Sequence, residues 1–378
     1  MDKCAELGAI MLKSLTVFVD AYPYQVFKQS EVTRLLSNVA SVTPGLGYSV
    51  SCQAELFSGH LPDDLGAWCE YSYEPWRMGA LLKPALQLLD VARGFRIPNR
   101  IAHKVADRVL RTSTKDIPFG YLPYFRKRAV EPMGQAGAPD SAIHADGVTR
   151  ISYLTHPAGT PERTDARIYE AALEHLAADE TRKLFVAFGA LDHVGHWKGL
   201  GSCEYEAVRR ETDTRVLSLL ERFRGVAPNG RFLLLSDHGM ANVHRGIEPG
   251  LERVFGPPSR SRYVYFVEGT ILRVWVHKEQ LRKPIASYLA DMGGVEVVDE
   301  LERRRLGIGE RRHGDIVALT SEGSMWCPSF WGPLICKGMH GYHPRYASQK
   351  AFVASDGGPK FAGALMAREV ASMLKCEM

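Results

Sequence analysis

Three apolar runs in this chain close on an aspartate, and two of those aspartates have a histidine within four residues. LTVFVD ends at Asp20, LFVAFGALDHVGH carries Asp192 and His196, and RFLLLSDHGM carries Asp237 and His238. A later segment, GMHGYHP, adds His340 and His343. Carboxylate oxygens and imidazole nitrogens gathered at one place suit a pair of divalent cations. Short apolar runs read as buried strands of a parallel sheet, and ligands of such sheets bind beyond the carboxyl ends of the strands. Taken singly, each piece has a plainer reading, since an aspartate after a strand commonly caps a helix or a turn. Asp237-His238 is more pointed, because a charged pair directly after FLLLS must reach solvent or find a counter-charge.

The elements that must position these residues alternate between strand and helix. Ser14 to Asp20 reads as the first strand; ISYLTHP, LFVAFGA and RFLLLS read as later ones. Between them ARIYEAALEHLAADE and EYEAVRRETDTRVLSLLERFRG repeat apolar residues three and four apart, as amphipathic helices do. VFKQSEVTRLLSNVASVTPGLGYSV reads as a short helix and a Gly/Pro-rich turn, and SVSCQAELFSG as a helix opening at Ser49 or Ser51. The expected fold is α/β: a doubly wound, mostly parallel central sheet with helices on both faces. The core is expected over 12–70, 148–260 and 306–378, with a basic, aromatic cap inserted at 71–147. A small α+β lobe at 261–305 is expected around the hairpin pattern YVYFVEGTILRVWVH. GDIVALTS, AFVASDG and the helix AGALMAREVASMLK are read as the return to the core.

A net charge of +4 over 378 residues gives no footprint for specific nucleic-acid binding. The charge is uneven, however: from Tyr71 to Arg128 twelve basic residues face only four acidic ones. Seven scattered cysteines without a CxxC pair fit reduced thiols, so a cytoplasmic setting is expected. The first twenty residues run straight into Asp20 without the apolar core of a signal peptide, and no run approaches the roughly 18 apolar residues of a membrane span. Peripheral membrane contact through 71–128 stays open, and the oligomeric state is not legible.

The set VFVD, FSGHLPDDLG, DHVGHWKG, SDHGM and GMHGYHP resembles the alkaline phosphatase superfamily, and within it the type I phosphodiesterase/nucleotide pyrophosphatase branch. The resemblance runs from the first strand to the final helix and fails only in the insertions. It implies a first metal held by Asp192, His196 and His340, and a second held by Asp20, Asp237 and His238. The nucleophile, itself a metal ligand, lies between them. Counting back ten residues from Gly59 in Ser58-Gly59-His60-Leu61-Pro62 places that nucleophile at Ser49; relatives in this branch mostly use threonine. Ser51 and Thr43 are the alternatives, with Ser49 then a mere helix cap. Mixed nitrogen and oxygen donors suit Zn²⁺, with Mn²⁺ tolerated.

Two departures stand out. Where the branch carries an asparagine three residues after the nucleophile, this chain has Cys52, with Gln53 beside it, and the branch's HGYD reads His340-Gly341-Tyr342-His343. Candidate substrate contacts are Gln53, Trp76, Tyr121, Tyr124 and His343. The expected substrate is a phosphorylated small molecule, a nucleotide or a lipid-like diester. The expected reaction is hydrolysis of a phosphodiester or pyrophosphate bond through a phosphoseryl intermediate. The alternatives are a phosphomonoesterase or phosphonate hydrolase on the same scaffold, or a catalytically idle anion-binding member.

Overall fold

The computed structural model describes residues 14–75, 96–110, 114, 117–127, 141–178, 182–332 and 334–377. They fall into two compact units: 1–60, 131–242 and 344–378 form the first, and 61–130 with 243–343 form the second.

The first unit is built on a seven-stranded sheet. Its strands are β1 (Ser14–Val19), β2 (Asn38–Thr43), β3 (Val148–Ser152), β4 (Lys183–Phe188), β5 (Arg231–Leu235), β6 (Ala351–Asp356) and β7 (Leu365–Met366). They lie in the order β7-β2-β6-β5-β1-β4-β3. β1 pairs in parallel with both β4 and β5, so the three runs that lead to Asp20, Asp192 and Asp237 are neighbours at the centre. β6 runs against its neighbours β5 and β2.

The helices of this unit include α1 (Ser49–Ser58), α2 (Pro161–Ala177), α3 (Ala190–Lys198), α4 (Cys203–Val226) and α5 (Ala367–Glu377). β1 shows why its sequence does not alternate between an exposed polar face and a buried apolar one. Leu15, Val17 and Val19 join Val216, Leu219 and Leu220 of α4 in one apolar cluster. Phe18 points the other way, into a second cluster with Leu56 and Phe57 of α1 and Val370 and Leu374 of α5. A strand covered on both faces reads as a near-continuous apolar run, here interrupted only by the small buried hydroxyls of Ser14 and Thr16.

β2 is a strand where the sequence pattern suggests helix and turn. Asn38–Thr43 mixes polar with apolar residues, with only Ala40 and Val42 fully buried, and its backbone pairs along its length with β6.

In the second unit the strands Tyr263–Val267, Ile271–Val276, Ile316–Thr320 and Val295–Val297 form an antiparallel sheet in that order. GDIVALTS is therefore no return to the core: its strand Ile316–Thr320 pairs with Ile271–Val276 and Val295–Val297. The unit boundaries also differ from the expected three-part division, because the described part of 71–127 clusters with 243–343. Arg273, almost fully buried, places its guanidinium over Trp68, Phe266 and Trp275 and donates to Tyr71 O at 2.9 Å. No helix among the described residues is long and apolar enough to cross a membrane.

Candidate active site

Asp20 follows β1 directly, and its N–H is fixed by Phe188 O at the end of β4. The next residue, Ala21, has φ of 55°, a left-handed conformation that a β-carbon disfavours. Its N–H donates to Asp237 Oδ1 at 3.2 Å, tying the end of β1 to the end of β5. The N–H of His238 donates to the same oxygen at 3.0 Å. The His238 ring lies 2.9 Å through Nδ1 from Gly239 O, a carbonyl that can only accept, so Nδ1 carries the proton and Nε2 is left with a lone pair.

Around that Nε2 three oxygens converge. Ser49 Oγ lies at 3.0 Å, Asp237 Oδ2 at 3.4 Å and Asp20 Oδ1 at 3.6 Å. Asp20 Oδ1 is buried and has no hydrogen-bond partner. Half-buried Ser49 can donate its hydroxyl to Nε2. The two buried carboxylate oxygens that face the same nitrogen lone pair are unfavourable there unless a cation sits among them. Ligands 2.0–2.2 Å from a tetrahedral ion stand about 3.3–3.6 Å apart, close to the spacings found here. The residues present thus fit a divalent ion.

The electrostatics agree. Burial, then repulsion from Asp237 and Asp192, pushes the Asp20 carboxyl well above its ordinary range. Burial pushes Asp237 up to about 7, against the pull of the hydrogen bonds from Ala21 and Gln53. A bound divalent cation reverses that balance and keeps both ionised.

Asp192 and His196 sit four apart on α3, with His196 Nε2 3.2 Å from Asp192 Oδ1. A carboxylate oxygen of Asp192 comes within 4.8 Å of a His238 ring nitrogen. The glycines of both motifs have packing reasons. A β-carbon on Gly195 would strike Met240 Sδ, and one on Gly239 would strike the backbone carbonyl of Ser348. Gly195 thus lets DHVGH pack directly on the Met240 side chain of SDHGM, and Gly239 lets SDHGM pack on the backbone of Ser348.

α3 is also held from below. Asp165 of α2 accepts the N–H groups of Gly189 and Ala190, both at 3.0 Å, and so caps the helix that carries Asp192. Burial raises its carboxyl to about 6, against the pull of the two N–H groups. Asp165→Ala would leave the buried Ala190 N–H without an acceptor. It is expected to cost about 1–3 kcal/mol in denaturant unfolding at pH 8. A change below about 0.5 kcal/mol would show that the cap contributes nothing.

Of the remaining candidates, Gln53 is fully buried, and its amide nitrogen contacts Asp237 Oδ2 at 3.0 Å and Asp20 Oδ2 at 3.2 Å. Its amide is thus engaged with the carboxylates, a role its sequence position does not suggest. Cys52, at the branch's asparagine position, directs its thiol to Gly45 O and Gly47 O, and burial pushes that thiol well up.

His340, His343, Tyr121 and Tyr124 lie in the second unit. The hydroxyl of Thr270 donates to the carbonyl oxygens of His340 and Gly341 at 3.1 and 2.8 Å. His343 is buried, with Nε2 3.3 Å from Glu302 Oε1. Tyr121 is a core residue and not an open ligand face. It is 5% exposed, donates to Glu252 Oε1 at 2.7 Å and packs edge-on against Tyr265 and Phe330. The aromatic residues of that stretch build a core. Tyr124 is half-buried beneath the Arg260 guanidinium. Trp76 lies outside the described residues.

Sequence reasoning missed Asp165 and Tyr153. The Tyr153 hydroxyl donates to Asp20 Oδ2 at 3.2 Å, and the residue's only sequence signal is its place at the end of a strand.

A sheet whose central strands deliver carboxylates to one edge, beside a serine that opens a helix, is the arrangement the resemblance to the alkaline phosphatase superfamily implies. The sequence profile of the Type I phosphodiesterase / nucleotide pyrophosphatase family matches residues 105–343, well over half of the chain. The chain belongs to that family and is a hydrolase of the phosphodiesterase/nucleotide pyrophosphatase type. No curated protein sequence matches it significantly.

Among solved structures it resembles murine ectonucleotide pyrophosphatase/phosphodiesterase 5 in an inactive form complexed with AMP. That match has a TM-score of 0.63 and 15% identity, covering 96% of this chain and 94% of the other. The human counterpart matches with a TM-score of 0.63 and 13% identity, over 96% and 93%. At such identities the likeness speaks for the fold.

Proposed function

We propose that the protein hydrolyses a phosphodiester or pyrophosphate bond of a nucleotide-like substrate at a two-metal centre, with Ser49 as nucleophile. One observation carries this: Ser49 Oγ lies 3.0 Å from His238 Nε2, within the Asp20–Asp237–His238 cluster. Asp20, Asp237 and His238 would hold one ion, and Asp192 and His196 the other, with His340 added on its motif alone. Mixed nitrogen and oxygen donors favour Zn²⁺, with Mn²⁺ tolerated. The metals would supply Lewis acidity toward the attacking and leaving oxygens.

The chain's own residues do the rest. Ser49 gives up its hydroxyl proton to solvent, and its Oγ bonds to phosphorus while the bond to the leaving oxygen breaks. That oxygen takes the electron pair and, as required, a proton from solvent. Water then cleaves the phosphoserine and restores the hydroxyl. α1 opens at Ser49, so the N–H groups of Ser49 and Val50 have no acceptor inside the helix. They are suited to the phosphoryl oxygens. A nucleotide fits this reading because a structural relative was solved with AMP.

The test is turnover of bis-p-nitrophenyl phosphate against p-nitrophenyl phosphate and phosphonoacetate, before and after chelation. Diester hydrolysis is expected to exceed both others by about tenfold or more and to vanish with the chelator. Faster monoester or phosphonate turnover would overturn the diesterase assignment, and activity that survives chelation would overturn the metal centre.

A further inference from the structure

We infer that Gln53 and Tyr153 are positioning residues that set the pose and metal affinity of Asp20 and Asp237. This rests on the two-metal reading of the site and concerns what makes that site work in this chain.

Asp20 uses its two oxygens differently. Oδ1 is directed at His238 Nε2, 3.6 Å away, and has no hydrogen-bond partner. Oδ2 accepts from the Tyr153 hydroxyl and from Gln53 Nε2, each at 3.2 Å. The carboxylate is therefore pinned by one oxygen and offers the other, the arrangement that single-oxygen coordination requires. Gln53 Nε2 also reaches Asp237 Oδ2 at 3.0 Å, so one amide group spans both carboxylates. The amide has only one sensible orientation here, because its oxygen would be repelled by both carboxylates.

Tyr153 is itself held in place. A β-carbon on Gly189 would meet its ring at 2.9 Å, and the Gly189 N–H is fixed by Asp165. A chain of contacts therefore runs from α2 through Gly189 and Tyr153 to Asp20. Partners of this outer kind orient metal ligands, and losing one typically costs 10–100-fold in metal affinity. Neither residue stands within twenty positions of the carboxylates in sequence, which is why no motif contains the pair.

The experiment is a Co²⁺ titration of the full chain, followed by visible absorption, for wild type, Tyr153→Phe and Gln53→Met. Each variant is expected to bind about 10–100-fold more weakly and to show altered cobalt bands. Diester turnover should recover toward the wild-type kcat with metal in excess, at unchanged KM, an outcome that a packing defect would not give. Tyr153→Phe keeps the ring and removes only the hydroxyl, so it decides the matter if Gln53→Met fails to fold. Affinities within about two-fold of wild type in folded variants would overturn the inference alone. A wild-type chain that takes up no Co²⁺ would overturn the metal reading as well, and would be seen before any substitution is compared.

Discussion

Ser49→Ala is expected to lower kcat for a phosphodiester by about 10⁴-fold or more, the scale on which removing a hydroxyl nucleophile acts. Its hydroxyl is the one the structure sets beside His238 Nε2, with Asp20 Oδ1 and Asp237 Oδ2 around the same nitrogen. The competing hydroxyls are engaged elsewhere. Ser51 Oγ donates to Tyr48 O at 3.0 Å, and Thr43 Oγ1 accepts from Lys350 Nζ at 2.7 Å. Ser51→Ala and Thr43→Ala should therefore stay within about tenfold of wild type. Ser49→Ala should still bind metal through Asp20, Asp237 and His238, and should no longer acquire a phosphoryl group when substrate is added and the reaction quenched. Full turnover in Ser49→Ala, or phosphoryl trapping at Ser51, would move the nucleophile.

The parts of this site legible in the sequence are those fixed by neighbouring residues. The runs before Asp20, Asp192 and Asp237 are mostly apolar because β1, β4 and β5 are covered on both faces. A polar residue at the end of such a strand has one direction to go. What the sequence hides depends on contacts between distant segments. Tyr153 meets Asp20 across 133 positions and Gln53 meets Asp237 across 184, and neither residue type declares a partner by itself. β2 is hidden for a related reason: its short mix of polar and apolar residues becomes a strand through pairing with β6, far away in the chain. The aromatic stretch around Tyr121 misleads in the other direction, since exposed stacking faces and an aromatic core read alike until burial is known.

Asp237→Asn is expected to remove most of the metal-induced stabilisation even though the side chain keeps its shape. Oδ1 accepts two backbone N–H groups, from Ala21 and His238, so the amide oxygen of asparagine must take that position. The NH₂ is then forced to where Oδ2 stood, facing Gln53 Nε2, another donor, and His238 Nε2. A ligand oxygen is lost and a donor–donor contact is made. If about 10–16 kcal/mol of zinc binding is shared by four ligands, one is worth roughly 2.5–4 kcal/mol, or about 10²–10³-fold in affinity. Metal at about 100 times the wild-type Kd stabilises the fold by about 2.7 kcal/mol; a site a hundredfold weaker retains about 0.4. The melting-temperature rise on adding Zn²⁺ should thus nearly disappear. Without metal the sign differs. The folded-state pKa of Asp237, about 7, lies above its ordinary 3.8. Its contribution to stability is therefore complete below pH 4 and lost as pH climbs through 7. Asparagine cannot ionise, so the metal-free variant should lose less stability than metal-free wild type between pH 5 and pH 8. An undiminished Zn²⁺ response in Asp237→Asn would remove Asp237 from the ligand set.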